Sequence, residues 1–297
     1  MTELAFSMQG VSRRFEHFHL RDINLALPDG GVMGLIGPNG AGKSTIIRLL
    51  MGLMAADAGQ IEVLRQTIPS RQGNARRDIG YVSEDLRLYK NATLGWHMDF
   101  VQSVFPEQWD VAYAEKLLTS FDLVKAQKLR GFSHGQRVKA GLLLVLARHP
   151  RLLVLDEPTT GLDPVARKEV LNELIPILAD EQRSILFSSH NTQDVEQLSD
   201  VITFIDRGAL VSSDDKENYL EGWRRLRVQS DQAIEIDERI RDVLQMGRTA
   251  TLTIQGFDND LKARLERDGV SIQAVERMSL EEVFVAEVEA KRRGAPS

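Results

Sequence analysis

The sequence predicts an α/β protein built on a largely parallel sheet. Three observations carry that reading. Short apolar runs alternate with helical patterns through about residue 212. A glycine-rich loop follows the first of the buried runs and opens a helix, and two carboxylates end another. Beyond residue 212 the order changes to a small mixture of strand and helix patterns.

The first 30 residues stand apart. "LAFSMQGVSRRF" and "LRDINLALPDG" read as antiparallel strands joined by a turn. "GVMGLIG" (31–37), "RLLVLDE" (151–157) and "SILFSSH" (184–190) are continuous apolar runs, the pattern of strands buried on both faces. "KSTIIRLLMGLM" (43–54) and "PVARKEVLNELIPIL" (164–178) have helical spacing. Residues 85–150 interrupt the alternation and read as a helical insertion, with Trp96, Phe100 and Val104 at helical spacing. "SSDDKENY" (212–219) reads as a linker. After it, "WRRLRVQS", "TATLTIQG" and "VSIQAVERM" read as strands, and "DNDLKARLERDG" and "SLEEVFVAEVEAKRR" as helices. The expected organisation is a domain over 1–212 with its insertion at 85–150, then an accessory α+β domain over 213–297.

Composition narrows the function. The 297 residues are 42% hydrophobic and 27% charged, a soluble balance able to bury a core. A net charge of −6 argues against a nucleic-acid partner, which usually calls for a basic stripe. Without cysteine there is neither a disulfide nor a thiolate metal site. The longest apolar run, Ala140 to Ala147, falls far short of the ~20 residues of a membrane span. The opening "MTELAFSMQG" lacks the basic flank and apolar stretch of a secretory signal. Any membrane role is therefore expected to run through a partner.

"GPNGAGKST" (37–45) fits the phosphate-loop pattern and sits between a strand and a helix, the context that pattern requires. Gly37, Pro38, Asn39, Gly40, Ala41 and Gly42 can fold their backbone N–H groups around phosphate oxygens, and Thr45 continues the helix start. Lys43 is placed to reach the outer phosphates, and the Ser44 hydroxyl to ligate Mg2+. Where "LLVLDEP" (152–158) ends, Asp156 suits a magnesium ligand and Glu157 a general base for the attacking water. No N-K-x-D guanine-reading motif is present. "GFSHGQ" (131–136) is open to three readings: a Ser–His nucleophile pair, a helix start, or half of a shared site. Ser133 with Gln136 fits a capping box for a helix over 134–147. No acidic partner to orient a catalytic histidine is identifiable.

In this order the motifs resemble those of the ATP-binding subunits of ABC transporters, over residues 1 to about 212. The resemblance implies a phosphate-loop ABC ATPase fold: a RecA-like parallel core, an N-terminal antiparallel β subdomain and an inserted helical subdomain. It implies an ATPase using ATP and Mg2+. "FSHGQ" resembles the signature L-S-G-G-Q, with His134 replacing a glycine. Ser133, His134, Gly135 and Gln136 would then meet ATP held by a second subunit. "TTGLDP" (159–164) resembles the loop in which Asp163 contacts that subunit; Asp163 before Pro164 also suits a helix start. His190 resembles the switch histidine at the γ-phosphate. Phe15 takes the place of an adenine-stacking aromatic, and Glu84 that of a lid residue, usually glutamine, near magnesium. "SLEEVFVAEV" (279–288) resembles the ending of drug, antibiotic and polysaccharide exporter ATPases. The implied assembly is a homodimer on the cytoplasmic face of the membrane, peripheral, held through a separately encoded permease docking near Leu86, Leu88 and Tyr89. An importer ATPase and a soluble ABC ATPase are the alternatives; the ending disfavours the first, and the lack of a long heptad coiled coil disfavours a soluble repair ATPase.

Overall fold

The computed structural model describes residues 3–69, 76–83, 86–178 and 183–294. The N-terminal strands β1 (Leu4–Arg14) and β2 (His19–Pro28) pair antiparallel. With β4 (Ala58–Val63) and β5 (Gln66–Ile68) they form a sheet in the order β2-β1-β4-β5. A second sheet has the order β10-β9-β3-β8-β7-β6. It contains β3 (Val32–Ile36), β6 (Ile79–Ser83), β7 (Leu152–Asp156), β8 (Ser184–Ser189), β9 (Val201–Asp206) and β10 (Ala209–Asp215). Every residue of β3, β7 and β8 is buried, which is why these strands read as unbroken apolar runs rather than alternating ones.

Register places the site. Strands β3, β8, β7 and β6 run parallel, with Ile36 opposite Ser189 and Asp156 opposite both Ser188 and Ser83. The loops after β3, β7 and β8 therefore leave the sheet at one edge, where an open parallel sheet binds its ligands.

Helices follow with local start signals. Helix α1 (Lys43–Leu50) begins after Gly42, whose φ of 117° lies in the region that side chains disfavour. Its first turn has no side-chain cap and no acidic residue. The inserted segment holds α2 (Leu94–Val104), capped by Thr93, α3 (Val111–Ser120), capped by Asp110, and α4 (His134–Leu146), capped by Ser133. Then come α5 (Pro164–Leu178) and α6 (Thr192–Leu198). Two compact units result: Met1–Ser199 with Ile205–Leu210, and Asp200–Phe204 with Val211–Ser297.

Residues 212–219 are not a linker. They form the end of β10 and the start of α7 (Lys216–Gly222). β10 is an edge strand whose last three residues are exposed, so its polarity mimics a connector. The second unit also contains β11 (Trp223–Gln229), β12 (Ile240–Met246), β13 (Thr249–Gln255) and β14 (Ser271–Arg277), in the order β12-β13-β11-β14. Leu226, Val228, Leu252 and Ile254 bury one face with Leu261 and Leu265 of α8 (Asn259–Arg267). The final helix α9 (Leu280–Gly294) begins with a Ser279–Glu282 capping pair and is tied to β11 by Arg225 and Glu282, 2.5 Å apart.

The approach of α6 to β3 depends on one missing side chain. A Cβ at Gly34 would lie 2.0 Å from Val195 Cγ1 and 2.6 Å from Ser199 Oγ. Gly34→Ala is expected to destabilise by ~1–3 kcal/mol through overpacking, read as a lowered urea midpoint. An unchanged midpoint would show that this contact relaxes freely.

Candidate functional site

The loop between β3 and α1 borders a cleft of about 470 Å³. Pro38, Asn39, Gly40, Ala41, Gly42, Lys43, Ser44 and Thr45 line it, together with Glu157, His17 and Phe18. Gly37 lies behind it, its carbonyl accepting from Lys43 Nζ at 2.7 Å. The uncapped N–H groups at the start of α1 and the Lys43 ammonium make the cleft electrostatically suited to an anion.

The acid pair at the end of β7 completes the cluster. Ser44 Oγ donates to Asp156 Oδ1 at 3.2 Å, and Ser188 Oγ donates to the same oxygen at 2.7 Å. Glu157 is 9% exposed and sits at φ 54°, a backbone region costly for a side chain. Its N–H is held by Ser188, 3.0 Å from the hydroxyl and 3.2 Å from the carbonyl. The two carboxylate oxygens differ. Oε2 accepts from Thr160 Oγ1 at 2.8 Å and faces His190 Nδ1 at 2.7 Å. Oε1 lies 3.0 Å from Lys43 Nζ as an ion pair, without hydrogen-bond alignment and with no other partner.

Burial pushes the Glu157 carboxyl up. The Lys43 charge 3.0 Å away, with hydrogen bonds from Thr160 and His190, outweighs burial and holds it below its ordinary value of 4.5. The sign follows: the folded state favours the ionised form. Its stabilising contribution is complete above the ordinary value and is lost as pH falls through the lowered one.

Further groups pin the loop after Glu157. Thr159 Oγ1 donates to the buried Asp194 at 2.7 Å, and Asp194 accepts from Arg167 Nε at 2.7 Å. Asp163 caps α5, accepting from Val165 N at 2.9 Å and Ala166 N at 3.0 Å. The capping box of α4 is fully formed: Gln136 N donates to Ser133 Oγ at 3.1 Å and Ser133 N to Gln136 Oε1 at 2.9 Å. His134 does not pair with Ser133; its Nε2 bonds the Thr160 carbonyl at 2.9 Å. A Cβ at Gly135 would meet Leu162 and Ala166 at ordinary contact distance.

These ordered motifs on this sheet decide the family, and relatives agree. Residues 20–160 match the family described as ABC transporter. The Nod factor export ATP-binding protein I of Bradyrhizobium diazoefficiens is 32% identical over 224 residues, 71% of each chain. The chain belongs to the ABC transporter ATP-binding proteins. Another relative, the ABC transporter ATP-binding protein YtrB of Bacillus subtilis, is 29% identical over 277 residues, 92% of this chain and 94% of YtrB. Among solved structures, an ATP-binding subunit of an ABC transporter superposes with a TM-score of 0.66 at 25% identity, covering 73% of this chain and 92% of that one. This ABC subunit is an ATPase with the fold its motifs imply.

The structure brings Lys43, Ser44, Asp156, Glu157 and His190 together. Ser133 and Gln136 do not line their cleft. Phe15 does not line it either; Phe18 does, with the two rings 6.0 Å apart. Glu84 lies outside the described residues. Ser188, Thr160 and the Thr159–Asp194–Arg167 chain escaped the sequence reading, because serines and threonines carry no pattern until strand register places them. Removing the cation with Lys43→Ala is expected to lower ATPase turnover by at least ~100-fold, about 2.7 kcal/mol. It should also raise the Glu157 carboxyl pKa, read by carbon NMR, since burial then acts with less opposition. Wild-type turnover would refute the phosphate-loop role.

Proposed function

We propose that this ABC subunit powers an exporter as a homodimer that closes over two ATP molecules. The observation that carries the reading is a division of labour. The phosphate-binding residues and Glu157 share one cleft, whereas Ser133 and Gln136 of the same chain are not among its lining residues. A second copy can supply them. ATP contacts both subunits only in the closed dimer, so its differential affinity favours closure. Hydrolysis removes the bridge and the dimer opens.

Each cleft binds the phosphates through residues 37–45. Ser44 and Asp156 offer hard oxygen donors side by side, a fit for Mg2+, which when bound neutralises charge on the phosphate oxygens. Glu157 takes the proton of the attacking water, its carboxylate oriented by Thr160 and His190 at Oε2 and by Lys43 at Oε1. His190 uses Nδ1 on Glu157, which leaves Nε2 as the nitrogen to meet the γ-phosphate. Phe18, its ring 6.0 Å from that of Phe15, lines the cleft beside the phosphate loop and suits adenine stacking.

Export is favoured by the likeness to the Nod factor export protein and by the Leu280–Gly294 ending. No helix among the described residues is long and apolar enough to cross a membrane. In this reading a separate permease supplies the passage and the subunit sits on its cytoplasmic face, as the family likeness suggests. Tyr89, 69% exposed, stands edge-on to Trp96, which stacks on Phe100. Trp96 and Phe100 are half exposed, and together the three rings make an apolar surface suited to the permease. Leu86 and Leu88 are half-buried and contribute less.

Glu157→Gln should bind ATP without turning it over and accumulate dimers, seen by sizing chromatography with ATP. Continued turnover would refute the base assignment. Ser133→Arg should place a bulky cation in the closed interface and lower ATPase by more than ~100-fold, about 2.7 kcal/mol. Normal hydrolysis at saturating ATP would reduce "GFSHGQ" to a capped helix start.

A further inference from the structure

His134 occupies a position where the ABC signature usually carries glycine, and its ring makes a defined contact. Nε2 lies 2.9 Å from the Thr160 carbonyl oxygen. Thr160 in turn sends its hydroxyl to Glu157 Oε2 at 2.8 Å, and its N–H to the Glu157 carbonyl at 3.2 Å. Two hydrogen bonds, joined through the covalent frame of Thr160, thus link a signature residue to the carboxylate.

The backbone explains why that path matters. The segment from Glu157 to Asp163 is anchored at Thr159 by Asp194 and at Asp163 by the start of α5. Between those anchors stands Gly161 at φ 71°. A peptide next to glycine can rotate at little steric cost, so the Thr160–Gly161 unit is the soft point of the loop. The His134 ring closes against it. A Cβ at Gly161 would meet ring atoms Nε2 and Cδ2 at 3.3 and 3.4 Å.

The geometry points to His134 as a positioning residue for Glu157 of the same chain. With its proton on Nε2, the imidazole holds the Thr160 carbonyl, restrains the peptide that follows and keeps the Thr160 hydroxyl aimed at Oε2. The carboxylate is thereby held with Oε1 against Lys43 Nζ. This inference rests on the reading of Glu157 as the base. It assigns His134 to its own subunit's carboxylate rather than to ATP on the second copy.

Steady-state ATPase kinetics on His134→Gly, His134→Gln, Thr160→Val and the His134→Gly/Thr160→Val double variant test it. His134→Gly should lower kcat about 3–10-fold, the scale of one lost neutral hydrogen bond, with KM for ATP within about twofold of wild type. His134→Gln offers an amide N–H to the same carbonyl and should return kcat to within about twofold. In the Thr160→Val background the hydroxyl is already gone, so adding His134→Gly should change kcat less than about twofold. Multiplicative losses in the double variant, a change confined to KM, or a His134→Gln variant as slow as His134→Gly would each overturn the inference. If Thr160→Val is too slow to measure, the glutamine arm decides. Glu157→Gln is assayed alongside. Retained turnover there defeats the base assignment, whereas a dead Glu157→Gln with multiplicative losses defeats the His134 inference alone.

Discussion

The parallel register of β3, β8 and β7 is the constraint from which the site follows. Ile36 stands opposite Ser189, and Asp156 opposite Ser188. That alignment brings the phosphate loop, the acid pair and His190 out at one sheet edge. It also lets a single hydroxyl, Ser188 Oγ, serve two neighbours: it donates to Asp156 and accepts the Glu157 N–H. A slip of one residue would turn Asp156 to the opposite face of the sheet and break both bonds. The buried Val154, Leu155, Leu186 and Phe187 resist such a slip. Packing in the sheet and chemistry at its edge are thus held by the same strands.

The site balances opposed electrostatic demands. Glu157 is buried, which favours a neutral carboxyl, yet base chemistry needs the anion. Lys43 resolves this by pairing with Oε1, and two further donors hold Oε2. The strained backbone at Glu157 is kept in place by Ser188 on its N–H. Strain of ~1–3 kcal/mol at one residue is tolerable where the neighbouring strands over-determine its position.

Much of this was legible in the sequence, and the losses have physical causes. The central strands were legible because burial on both faces forces continuous apolar runs. The phosphate loop was legible because its backbone conformation restricts residue choice, as at Gly42. β12 was missed because "IRDVLQM" puts arginine and aspartate into a strand whose residues after Ile240 are half-buried or exposed. Residues 212–215 of β10 read as part of a linker because an edge strand can be polar. Phe15 and Phe18 flank the same turn, closed by the Phe15 N–H on the Phe18 carbonyl, so only the folded turn determines which ring meets the phosphate loop. Thr160 and His134 lie 26 positions apart and meet only in three dimensions.

The capping box at α4 has a consequence for polarity. Ser133 Oγ spends a lone pair on the Gln136 N–H, and Gln136 Oε1 is spent on the Ser133 N–H. Each oxygen keeps one lone pair, and each side chain keeps protons to give: the hydroxyl hydrogen of one and the amide hydrogens of the other. Both oxygens are engaged in closing the helix, and no donor hydrogen is used up in doing so. The same two bonds that start the helix therefore bias its tip toward donating protons, a polarity suited to oxyanions. Helix initiation and ligand polarity are set by one pair of residues.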